Sequence, residues 1–145
     1  MKKLVLALPA LFLLSTAIIS QPSFAEPVRE TSEKTFVKDV VQADKPVVVD
    51  FFATWCGPCR AMEPVLENLS HTYAGKATFL RVDVDKNPEL SNQFDISGIP
   101  AIMIFQKGKV VDNSVGAVPQ KELDKMVAAV VTGGAKSIAK TGGTH

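Results

Sequence analysis

Val47-Val48-Val49-Asp50-Phe51-Phe52-Ala53-Thr54-Trp55-Cys56-Gly57-Pro58-Cys59-Arg60 reads as a buried strand running straight into a helix that carries two cysteines. Val47 to Ala53 is a continuous apolar run broken only by Asp50, the pattern of a strand covered on both faces in a parallel sheet. A lone carboxylate in such a run requires a chemical reason. From Cys59 onward Met62, Val65, Leu66, Leu69 and Tyr73 recur at i, i+3, i+4 spacing, and Gly75 supplies the stop. Pro64 falls inside this helix, removes one backbone donor and predicts a bend between the first turn and the later ones.

Upstream, Thr31 or Ser32 offers an N-cap for a helix in which Phe36, Val37, Val40 and Val41 recur at helical spacing, ending before Lys45-Pro46. Downstream, residues 77–84 predict a second strand, and Asn87-Pro88 supplies an N-cap and a first-position proline for a short helix carrying Leu90 and Phe94. Ser97-Gly98-Ile99-Pro100 breaks the chain. Ala101 to Phe105 predicts a third strand, Lys107-Gly108-Lys109 a turn, and Val110 to Val115 its antiparallel partner. A last helix is expected from about Pro119, with Leu123, Met126, Val127, Val130 and Val131 on its apolar face and Gly133-Gly134 as its end. A short edge strand is expected around Pro27 to Thr31. A βαβ unit followed by a hairpin and a closing helix predicts an α/β fold, a central mixed β-sheet flanked by helices on both faces.

The two ends differ from this middle. Lys2 and Lys3 lead into an uncharged apolar run from Leu4 to Ile19, and a polar stretch closes on Ser23-Phe24-Ala25, the layout of a secretory signal peptide. Cleavage is expected after Ala25, leaving Glu26 as the new terminus. The apolar run is about 16 residues, holds Pro9 and falls short of the roughly 20 needed to cross a bilayer. An uncleaved leader acting as a membrane anchor is the alternative. No cysteine lies near the cleavage point, which closes the lipoprotein route. Residues 26–133 are then expected to form one domain, complete as a monomer, and 134–145 a flexible C-terminal tail.

The 145 residues, 46% apolar and 21% charged, suit one globular domain. Cleavage removes two of the 16 basic residues and none of the 15 acidic ones, leaving a net charge of −1. With charges interspersed and near balance, there is no electrostatic case for nucleic acid.

Both cysteines sit in one motif, and an exported chain meets an oxidising compartment where thiols are normally bridged or absent. A bridge three residues long encloses almost no loop, so loop entropy gives it little stabilising value. A reactive pair is the better reading. Spacing of three residues on the first turn of a helix brings two sulfurs within bridging distance. Cys56 lies at the helix N-terminus, where unpaired backbone donors and the positive end of the dipole stabilise a thiolate, so it is the expected attacking nucleophile. Cys59, one turn further in and less exposed, would resolve the resulting mixed disulfide. A zinc half-site needs two further ligands, and the only histidines are His71, on a polar helix face, and His145 at the chain end, so no metal is expected. No haem-attachment, flavin or nucleotide signature is present, and the Cys56-Cys59 dithiol itself is the expected redox group, with no other cofactor.

Val49 to Arg60 resembles the active-site strand and loop of the thioredoxin family, and Pro64, Asp83-Val84-Asp85, Gly98-Ile99-Pro100, Lys107-Gly108 and Gly116-Ala117 fall where that family places its landmarks. The resemblance covers roughly Thr31 to Val131. It implies a thioredoxin-like fold and thiol-disulfide exchange on disulfide-containing protein substrates. It also implies that Asp50 moves the proton of the resolving thiol. Arg81 stands where such proteins often carry a lysine and would tune that carboxyl electrostatically, since a guanidinium does not give up a proton. Ile99-Pro100 is implied to be a cis-proline loop facing the cysteines, offering backbone bonds to an extended substrate segment. Trp55, Gly57, Pro58, Ile99, Gly116 and Ala117 would rim Cys56 as a flat apolar surface. Phe52 departs from the family, which most often has tryptophan there.

Gly57-Pro58 between the cysteines is the dipeptide the resemblance associates with reducing behaviour, so a disulfide reductase is expected. Outside the cytoplasm such a reductase needs a membrane thiol-disulfide electron donor. The short leader and its lysines suit bacterial export, making the periplasm the first expected location and secretion the second. A net oxidant of exported proteins and a non-catalytic, chaperone-like binding module on the same scaffold are the rival readings.

Overall fold

The computed structural model describes residues 26–133. The leader and the tail from residue 134 lie outside the described residues. Strand β1 (Arg29–Glu30) is followed by a helical turn over Val37–Val41, then β2 (Val47–Phe52), α1 (Gly57–Thr72), β3 (Thr78–Asp83), α2 (Pro88–Gln93), β4 (Ala101–Gln106), β5 (Lys109–Val115) and α3 (Gln120–Val131). The sheet order is β1-β3-β2-β4-β5, with β1, β3 and β2 parallel and β4 antiparallel to both β2 and β5. The expected mixed sheet, including its short edge strand, is present.

β2 is buried at every position, as its unbroken apolar run requires. Because side chains alternate along a strand, its residues serve two cores. Val47, Val49 and Phe51 pack with Phe36, Val40, Leu80, Val82, Leu90 and Phe105 on one face, where Phe36, Phe94 and Phe105 form tilted and edge-on ring pairs. Val48 packs on the other face against Met62, Leu66 and Leu69 of α1 and Leu123, Val127 and Val130 of α3. The alternation puts Asp50 and Phe52 on that second face, beneath α1. Arg81 alternates with Leu80 and Val82 on β3 and is the register partner of Asp50, so it lies on the same face beside the carboxylate.

Two local expectations need correction. The first helical segment closes with a wider π-type turn, Gln42 N–H bonding Val37 O at 2.9 Å, and only Phe36 and Val40 face the core while Val37 and Val41 are exposed. Asn87 does not cap α2 with its side chain. Its amide is buried, accepting from Glu33 N–H (3.0 Å) and donating to Asp83 O (2.9 Å), while the Glu33 carboxylate takes the free Glu89 N–H at 2.9 Å. A residue far away in sequence thus satisfies the helix end that a local cap would have served.

Candidate active site

Cys56 is the N-cap of α1 and Gly57-Pro58 its first two residues. Proline at that position loses nothing, because its missing N–H would have no partner in the first turn. The helix rotates Cys59 back beneath Cys56, and the two form a disulfide with Cα atoms 5.3 Å apart. Cys56 Sγ accepts the Cys59 N–H at 3.2 Å. No acidic residue lies in the first turn to compete for the positive end of the helix, so a thiolate at Cys56 would be stabilised in place. Cys56 is 4% exposed and Cys59 fully buried, an asymmetry that offers one sulfur to a substrate and keeps the other behind it. Phe52, Ala53 and, in part, Val84 and Ile99 pack around the pair.

The residues expected to rim Cys56 come from three separate parts of the chain. Trp55 is 68% exposed, and its indole N–H bonds the Asp85 carboxylate at 2.8 Å, which fixes the ring beside Cys56. Gly57 and Pro58 are exposed and Ile99 half-buried. The Ile99–Pro100 peptide is cis, and Pro100 O accepts the Gly116 N–H at 2.7 Å, joining that loop to the end of β5. Gly116 takes φ +93°, where a side chain would strain the backbone. Ala117 next to it is exposed, and the buried Met62 thioether accepts the Val118 N–H at 3.3 Å, seating this corner on α1.

Asp50 is fully buried, and its partner is a side chain: Arg81 Nε donates to Oδ2 at 3.1 Å. Burial pushes its carboxyl up to about 6; the charge and hydrogen bond of Arg81 work against that, and the charge of Glu63 adds to it. Burial wins, so this acid changes charge near physiological pH. Arg81 in turn donates through Nη1 to Glu63 Oε1 at 2.8 Å and lies 3.8 Å above the Phe52 ring centre. The sequence marked Met62 only as a core position and Asp85 only as part of a strand-end landmark, and it did not single out Glu63. Glu63 sits four residues after Cys59 and therefore on the same helix face, a signal that was legible. Among the described residues no cluster of three or more His, Cys, Asp or Glu side chains is placed to hold a metal ion.

A disulfide at a helix N-terminus, packed against Ile99 of a cis-proline loop on a mixed sheet, defines a thiol-disulfide exchange domain. Comparison with known proteins agrees. The thioredoxin family profile matches residues 27–129. The chain is 43% identical over 98 residues to the thioredoxin of Chlorobaculum thiosulfatiphilum, covering 68% of this chain and 91% of that protein. It is 39% identical over 104 residues to the thioredoxin of Rhodospirillum rubrum, covering 72% of this chain and all of that one. Thioredoxin C-2 of Corynebacterium nephridii is 45% identical over 93 residues, 64% of this chain and 86% of the relative. The chain belongs to the thioredoxin family and is a thiol-disulfide oxidoreductase acting on disulfide-containing proteins, with the Cys56–Cys59 disulfide as its redox group.

Proposed function

We propose that this protein is exported, loses its leader after Ala25, and works in the periplasm as a monomeric disulfide reductase recharged by a membrane thiol donor. The observation that carries the exchange chemistry is Cys56 Sγ held at the helix end by the Cys59 N–H. Cys56 attacks a substrate disulfide, releasing one substrate thiol and forming a mixed disulfide. Cys59 gives its proton to Asp50 and attacks Cys56, releasing the second thiol and leaving the Cys56–Cys59 disulfide. Trp55, Gly57, Pro58, Ile99, Pro100, Gly116 and Ala117 receive the substrate segment, and Arg81 tunes Asp50. The leader's Lys2-Lys3 and apolar run support export, and Gly57-Pro58 supports the reducing direction.

The test is the reduction potential of the protein from residue 26 onward, together with its compartment and N-terminus in intact cells. A potential near the thioredoxin value of about −270 mV, with Glu26 first in an exported form, is expected. A value near the roughly −120 mV of a strong disulfide-forming oxidant reverses the direction while leaving the residues in place. An intracellular chain that keeps its leader contradicts the export reading.

A further inference from the structure

Arg81 is pulled two ways. From β3 it reaches Asp50 on β2 through Nε and Glu63 on α1 through Nη1, with its guanidinium lying on Phe52. The edge formed by Nε and Nη2 matches the two oxygens of a carboxylate, and arginine commonly uses it to bind both at once. Here it does not. Arg81 Nη2 and Asp50 Oδ1 are both buried, and neither has a hydrogen-bond partner among the described residues. Leaving two such atoms unpaired carries a desolvation cost, so some contact must hold the guanidinium in its offset position. The 2.8 Å bond to Glu63, shorter than the 3.1 Å bond to Asp50, is that contact, and the Phe52 ring limits tilting from below.

We propose that Glu63 is a positioning residue for the exchange reaction: it draws Arg81 toward the surface, so that Asp50 is bound through one oxygen and Oδ1 stays open to take the proton of Cys59. This rests on the reading of Asp50 as proton acceptor. In the step concerned, the Cys59 proton passes to Asp50 Oδ1 and the Cys59 sulfur bonds to Cys56 Sγ. The bond between Cys56 and the substrate sulfur breaks, and the substrate leaves as a thiolate. The dithiol is oxidised and the substrate disulfide reduced, with no further reactant. The charged groups that act on Asp50 are Arg81 from β3 and Glu63 from α1, while its β4 register partner is the uncharged Ile102. Glu63 is half-exposed on a helix, so alanine there should fold normally.

The experiment follows release of the second substrate thiol by stopped flow across pH in the parent, Glu63→Ala, Glu63→Gln and Asp50→Asn proteins, and titrates the Asp50 carboxyl by carbon-13 NMR in the first three. With Glu63→Ala, Arg81 should close on both oxygens of Asp50. The Asp50 midpoint then falls by about half a pH unit, and release of the second thiol slows about threefold at neutral pH. KM stays at the parent value. Glu63→Gln, which keeps an acceptor for Arg81, should lie between. An unchanged midpoint and rate in Glu63→Ala, with Asp50→Asn slowed, overturns the role of Glu63. An Asp50→Asn protein as fast as the parent instead overturns the reading of Asp50 on which the proposal rests.

Discussion

At the scale of single residues, Asp50 sets the balance between stability and chemistry. Its carboxyl ordinarily titrates at 3.8 and in the folded protein at about 6. Below pH about 4 it is protonated in folded and unfolded chains alike and opposes folding in neither. As pH rises from about 4 to 6 the unfolded chain releases the proton first, so stability falls, by about 3 kcal/mol in all once the folded group has also ionised. Asp50→Asn should therefore be more stable than the parent at pH 7, with the difference shrinking toward pH 4. Urea unfolding at the two pH values checks this, and parallel stability curves would contradict it. The cysteines and Asp50 were legible in the sequence because their chemistry stands out against an apolar strand. The partnership of Phe52 and Arg81 was not. Each stood alone as a departure from the family pattern, and only the register of β2 against β3 places one on the other.

Among the elements, apolar patterning identified the four longer strands and each long helix to within a few residues, because β2, buried on both faces, leaves an unbroken apolar run and α1, buried on one, leaves a helical period. What it missed was decided by contacts distant in sequence. The Glu33 carboxylate at the start of α2 frees Asn87 for a buried role, and no local pattern around Asn87 shows this. The hairpin between β4 and β5 was legible from Lys107-Gly108, and both residues take positive φ, 51° and 72°, as a tight two-residue turn requires. Close packing adds a second constraint, since a Cβ on Gly108 would lie 2.8 Å from Val41 O at the end of the π-type turn. Gly108→Ala should lower stability by about 1–3 kcal/mol through both effects. Thermal unfolding measures it, and a change within a few tenths of a kcal/mol would show that the turn relaxes freely.

For the whole molecule, the sheet brings the site together from distant segments. β2 delivers Asp50 and the cysteine loop, β3 delivers Arg81 and, past its end, Asp85, and the β4 and β5 ends supply Pro100 and Gly116. The central account is that Cys56 attacks and Cys59 resolves. The most direct measurement is mass spectrometry of a Cys59→Ser protein, reduced and then mixed with a disulfide-containing protein. The account predicts an accumulating adduct linked through Cys56 and loss of turnover. A Cys59→Ser protein that turns over its substrate like the parent, or an adduct on no residue at all, would contradict it.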